Sequence, residues 1–158
     1  MDKIQKILRH PDFLTYVKAN KKREKKRKFC KHNIAHFLNV ARIGYLLVLE
    51  GGLPVSKEAI YAAALLHDIG RWRQYDDGTP HEYASAELAE PVLYDAGFSG
   101  DDITEIIDAI LKHRSEKHSG GNGLRGVLFK ADKLSRSCMF CKAESECDWA
   151  HKNAEIKI

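Results

Sequence analysis

The stretch "ALLHDIGR" sets His67 beside Asp68 at the end of a segment, Tyr61 to Leu66, that otherwise reads as protein interior. Neutral imidazole and carboxylate are ligands for Mn, Fe, Co, Ni or Zn, so the question is whether other residues could complete such a site. Helical spacing supplies them. His36 shares a stripe with Val40, Ile43 and Leu47, at offsets of four, seven and eleven residues, which turns its ring toward the core. His113 follows Ile106 and Ile110 by seven and three. Asp132 sits four after Leu128 and three after Phe129, while Lys130 and Lys133 point elsewhere. A single inward histidine is ordinarily satisfied by a backbone carbonyl. Three histidines and two carboxylates aimed inward from four helices are better explained by one shared cation, because a buried, unpartnered carboxylate is costly. Neighbouring side chains on a helix diverge by about 100 degrees. At a frayed last turn, however, His67 and Asp68 can swing to one ion, with Gly70 letting the chain turn away.

The elements that must position these groups read as helices throughout, and the predicted fold class is all-α. "NIAHFLNVARIGYLLVLEGG" carries apolar residues at helical spacing and stops at Gly51 and Gly52. Ser56 caps the next helix, with Glu58 in its first turn, and that helix should run to about Asp68. Pro80 suits the first turn of a third helix, in which Pro91 should produce a kink or a split before Gly97. Asp101 or Asp102 opens a fourth, "ITEIIDAILKHR", closed by "SGGNG", and "LRGVLFKADKLSR" makes a fifth. No period-two alternation lasts long enough to predict a strand.

At 158 residues the chain has the size of one domain, with a core over about residues 29–136 and a cysteine-containing tail over 137–158. The N-terminus has no apolar run of signal-peptide length, and no stretch approaches the roughly 20 apolar residues of a membrane span, so the expected location is cytoplasmic, away from the membrane. The net charge of +4 owes much to "KKREKKRK", Lys21 to Lys28. That run could contact nucleic-acid phosphates, although a solvated helix face or connector is the simpler reading. It leaves one alternative function: a non-catalytic, metal-stabilised domain that binds nucleic acid.

Taken in order, "HFLNVARI", "ALLHDIGR" and "KADKLSR" resemble the HD superfamily of metal-dependent phosphohydrolases, over roughly Phe29 to Arg136. The resemblance implies a helical HD-domain bundle of about five to seven helices in which His36, His67, Asp68 and Asp132 hold one divalent metal. Members with two ions add histidines between the dyad and the last aspartate, which here would be His81 in "TPHEYAS" and His113 in "LKHRS", with Asp68 bridging. Its expected substrate is a small phosphorylated molecule, a nucleotide or another phosphate ester, attacked by a metal-activated water. Nucleoside monophosphate phosphatases of this superfamily often carry a glutamate three residues after the dyad aspartate as general acid. Arg71 stands there instead, which shifts the expectation toward phosphodiesters or other phosphorylated nucleotides. Asp68 and Arg71 are the expected catalytic residues, Arg71, Arg114 and Lys133 the expected phosphate contacts, and Asp77 a conceivable proton donor.

Cys138 and Cys141 are spaced CxxC, Cys147 follows, and His151 lies four further on. Thiolates and imidazole at such spacing can reach one structural zinc ion, with Cys30 a distant alternative fourth ligand. The competing reading is ordinary semi-buried thiols. No disulfide is expected.

Overall fold

The computed structural model describes residues 1–118 and 120–147. It is all-α, as expected: α1 Asp2–Arg9, α2 Pro11–Arg23, α3 Ile34–Gly51, α4 Lys57–Leu66, α5 Arg71–Asp76, α6 His81–Ala96, α7 Gly100–Lys112 and α8 Leu124–Leu134, with 3-10 turns at Glu116–His118, Cys138–Phe140 and Glu144–Glu146. The first two helices lie in a region the apolar pattern had left unassigned.

Local chemistry sets most boundaries. Asn33 accepts the His36 amide hydrogen to start α3, and Gly52, at φ 56°, takes the left-handed turn that ends it. Ser56 caps α4 through the Ala59 amide. Ser99 and Asp102 form a reciprocal capping box on α7. Helix α6 runs unbroken from His81 to Ala96, so Pro91 does not split it. Pro91 is exposed, on the outer side of that helix.

Helix α4 is the hub. Ala59, Ala62, Ala63 and Ala64 are buried with Ile60, Leu65 and Leu66, and these small side chains let α3, α7 and α8 pack around them, with α1 and α6 also in contact. Helix α3 packs most extensively on α4 and then on α8. Among the described residues it alone is long and apolar enough to cross a membrane, at a mean hydropathy of 1.2. Its buried face is His36, Phe37, Val40, Ala41, Gly44 and Val48. The expected stripe through Ile43 and Leu47 is therefore rotated, since both are only half-buried. Gly44 explains the rotation: a Cβ there would come within 2.8 Å of the Ile60 side chain, so the missing side chain is what lets α3 and α4 close on each other.

Helix α4 stops at Leu66, two residues earlier than expected, and His67 to Gly70 form a tight turn. Gly70 has an ordinary φ of −88°, so left-handed freedom is not why a glycine stands there. A Cβ on it would meet the Ser85 nitrogen at 2.5 Å and the Ala84 carbonyl carbon at 2.6 Å. Its amide donates to the Ser85 hydroxyl at 2.9 Å. The dyad turn is thus pressed against the backbone of α6. Gly70→Ala should cost about 1–3 kcal/mol or more, because backbone cannot yield as a flexible side chain can, and a denaturant titration against the parent checks it.

Candidate metal centre

The turn after α4 delivers Asp68 to the centre of the bundle, where it is 1% exposed. Its two oxygens serve different neighbours. Oδ2 lies 3.1 Å from His67 Nε2 and 3.8 Å from His36 Nε2. Oδ1 lies 3.1 Å from His81 Nε2 and 3.8 Å from His113 Nε2. Asp132 closes the first set, its Oδ1 3.4 Å from His36 Nε2 and 3.7 Å from His67 Nε2. The result is two ligand groups, His36–His67–Asp68–Asp132 and Asp68–His81–His113, each with donor atoms within 4.8 Å of one another and joined through Asp68. All six sequence-derived candidates converge. His81, a residue just after a proline at a helix start, is as buried as the rest, at 1%.

Each imidazole is turned by its second nitrogen. His67 Nδ1 donates to the Ala64 carbonyl at 2.8 Å and His113 Nδ1 to that of Ile110 at 2.6 Å. His81 Nδ1 donates to Gln74 Oε1 at 2.7 Å. The Ser135 hydroxyl gives its hydrogen to the Asp132 carbonyl and so accepts from His36 Nδ1 at 3.3 Å. With Nδ1 as the donor, every Nε2 is turned toward Asp68, the nitrogen through which these histidines would ligate a metal.

The negative charge at the centre of the site is only partly compensated. His36 Nε2, His67 Nε2 and Asp68 Oδ1 are buried without a hydrogen-bond partner, a costly state for polar atoms. Burial opposes ionisation of Asp68 and Asp132, yet His67 and Arg71 around the first, and His36, His67 and Arg136 around the second, hold both carboxyls well below the usual range. Burial would likewise depress His67, but the two carboxylates overcome it and push its pKa up to about 9. Burial and the charge of His67 drive His113 down to about 3. A proton on His67 thus does part of the work a divalent ion would do, and the donor set, imidazole with carboxylate, suits Mn, Fe, Co, Ni or Zn. The residues fit two such ions.

A second layer, which the sequence reading missed, comes from the N-terminal helices. Asn20 is fully buried; its Nδ2 donates to the Asp68 carbonyl at 2.9 Å and its Oδ1 accepts from the Trp72 amide at 2.8 Å, so α2 braces the dyad turn on both sides. Glu24, the one acid inside the basic run, is 2% exposed. It accepts from the His32 amide at 2.7 Å, from His32 Nδ1 at 2.5 Å and from the Tyr75 hydroxyl at 2.8 Å. Burial opposes its charge, and those three bonds outweigh it, holding the carboxyl down to about 2. His32, driven by burial to about 4, is neutral at pH 7 and accepts from Arg71 Nη2 at 3.1 Å. Arg71 Nη1 donates to Gln74 Oε1 at 3.2 Å, and its Nε stands 3.4 Å from Asp68 Oδ1. The guanidinium is therefore clamped beside the metal-facing carboxylate. Of the signals for this layer, only His32, four residues before His36, was open to sequence inspection.

Above the ligands lies a cavity of about 300 Å³ lined by Asp68, His81, His113 and Asp132 below and by Arg27, Arg71, Arg114, Lys133 and Arg136 around it. Lys133 does not point elsewhere: its Nζ reaches Asp132 Oδ2 at 2.6 Å. Arg114 is exposed, 3.5 Å from Glu82. Asp77 does not line the cavity; it sits on the surface, accepting from the Thr79 amide. Of the basic run, Arg23 pairs with Asp76 and Lys28 with Glu146, while Lys21, Lys22, Lys25 and Lys26 are exposed. Cys30, Cys138, Cys141 and Cys147 are free thiols that line the same cavity, and His151 lies outside the described residues.

These charges fix a pH response. In metal-free protein, His67 keeps a proton up to about 9 that the unfolded chain releases near 6.5, so its stabilising contribution is whole below 6.5 and lost as pH rises through 9. His113 and His32 refuse, down to about 3 and about 4, a proton that the unfolded chain accepts below 6.5, so stability also falls as pH drops through that window. Chelated protein should accordingly melt highest near neutrality and lower on both sides. Saturating Mn or Co should raise the melting temperature and remove the alkaline decline, because ligation displaces the His67 proton. Thermal unfolding across pH, with chelator and with metal, checks both limbs.

Comparison with known proteins agrees with this geometry. A protein of Clostridium beijerinckii, described as uncharacterized, is 44% identical over 158 residues, covering all of this chain and 99% of its relative. No solved structure matches. The HD domain family matches residues 33–140, a span that takes in His36, His67, Asp68, His81, His113 and Asp132, and the chain accordingly belongs to the HD domain family.

Proposed function

We propose that the protein is a metal-dependent phosphohydrolase that cleaves a phosphate ester of nucleotide size, with two divalent transition ions held by the ligand groups that share Asp68. The observation that carries the reading is the opening of those groups into a cation-lined cavity. A purely structural ion would have its ligands closed around it. Here Asp68, His81, His113 and Asp132 line a space of about 300 Å³, at the lower end of the range for small-ligand sites. HD domain proteins are in general metal-dependent hydrolases, which supports the same reading.

When bound, divalent ions at these positions supply Lewis acidity toward phosphoryl oxygens and lower the pKa of water. The chain's own groups do the rest. Asp68 and the four histidines fix the donor atoms, and their Nδ1 partners prevent ring rotation. Arg71 presents a fixed charge at the cavity edge, held by His32, Gln74 and Asp68, so no reorganisation is needed when charge grows on the phosphoryl group. Arg114 and Lys133 add positive potential around the mouth and draw in an anionic substrate.

The test is turnover of bis-p-nitrophenyl phosphate, p-nitrophenyl phosphate and a nucleotide panel with added Mn, Co or Ni. Asp68→Ala should lose binding of the added Mn, Co or Ni and hydrolysis together; parental content of that added metal and parental rate in the variant would overturn the proposal. Arg71→Gln should keep its metal and lose about 100-fold in kcat/KM, and Glu24→Gln, acting only through His32 and Arg71, about tenfold.

A further inference from the structure

The chain has four cysteines, and every one of them lines the cavity described above. Cys30 comes from the loop between α2 and α3. The other three come from two successive turns after α8: Cys138 opens the first, Cys141 follows it, and Cys147 follows the second. The backbone folds back at each step, with Cys141 N bonded to Cys138 O at 2.9 Å, Glu144 N to Cys141 O at 3.0 Å and Cys147 N to Glu144 O at 3.2 Å. The C-x2-C spacing of Cys138 and Cys141 is that of thiolate metal sites. Cys138 is buried, the other three are half-buried, and all are free thiols.

The two segments are already docked. Arg27 Nε donates to the Cys30 carbonyl at 2.8 Å, Lys28 pairs with Glu146 at 2.5 Å, and Arg136 lines the cavity together with Cys30. Four soft donors line one cavity, and none belongs to the imidazole–carboxylate groups; such donors select a different class of metal, zinc or iron–sulfur rather than Mn or Co at oxygen and nitrogen.

We propose that Cys30, Cys138, Cys141 and Cys147 form a four-thiolate site for a thiophilic metal centre, one zinc ion or one iron–sulfur cluster, built into the wall of the catalytic cavity. Each thiol gives up its proton on ligation, and Arg27 and Arg136, which line the same cavity, offset the centre's negative charge. The fourth ligand is thus Cys30, brought from the other end of the domain. Among the described residues no three of these sulfurs share the 4.8 Å mutual spacing that both histidine–aspartate groups meet. A zinc ion, with bonds of about 2.3 Å, would need them to draw in on binding. The centre would tie the loop before α3 to the chain after α8 and so set the shape of the substrate cavity.

The experiment is metal and sulfide analysis of full-length protein purified without oxygen, in the parent, in Asp68→Ala, and in Cys30→Ser and Cys141→Ser singly. Metal that survives Asp68→Ala and disappears from both cysteine variants supports the site. Zinc alone identifies a single ion, and iron with acid-labile sulfide and visible charge-transfer absorption identifies a cluster. A thiol-reagent assay on folded protein is the second measurement, independent of whether any variant folds: the parent should react slowly, and rapidly after a chelator or an oxidant that destroys clusters. No thiol-dependent metal with four promptly reactive thiols, or a Cys138–Cys141 disulfide in the oxygen-free protein, would overturn the proposal.

Discussion

A carboxylate with both oxygens committed to imidazoles, deep inside an apolar bundle, is the constraint on which the rest of this structure depends. Asp68 is fully enclosed and faces His36, His67, His81 and His113 at 3.1–3.8 Å. Ionised carboxylates survive in such places only with compensating charge, and the protein provides it incompletely: one proton on His67, with Arg71 and Arg136 at the periphery. The architecture follows from supplying that centre. Helix α4 is built of alanine so that other helices can crowd it, and its end is where the dyad emerges. Gly70 and Ser85 then pin the turn to α6, and Asn20 pins it to α2.

The same residue explains why the histidines come from so many places. A tetrahedral or octahedral ion takes ligands from several directions, and one helix can offer only one face. Helices α3, α6 and α8 and the end of α7 bring one donor each and the turn after α4 brings two, and the Nδ1 bonds to Ala64, Ile110, Gln74 and Ser135 fix the imidazoles' aim before any ion arrives. Preorganisation of this kind lowers the cost of binding, since few rotamers remain to be frozen.

Much of this was legible in the residues because helical periodicity reports which side of a helix is inside. His36, His113 and Asp132 fell on apolar faces, and the pattern placed them correctly even though the buried stripe of α3 runs through Gly44 instead of Ile43. Periodicity fails where burial is local and polar. Glu24 stands among seven cations and reads as a solvated position, yet it is buried because His32 and Tyr75 close over it. Asn20 shares α2 with only one other fully buried side chain, Phe13, so no apolar face marks it. That Cys30 lines one cavity with Cys138, Cys141 and Cys147 depends on the chain's return path, which no short-range pattern encodes. Gly70 was recognised as special for the wrong reason: backbone proximity to Ala84 and Ser85, and not an unusual φ, demands it.

The family signature begins at residue 33, and all three members of the supporting layer, Asn20, Glu24 and His32, precede it. A chain trimmed to that signature would retain every donor atom while losing the struts that hold the dyad turn and the arginine in place. The working unit of this domain is thus longer than its recognisable motif, and its leading helices belong to the machinery even though they carry none of the chemistry.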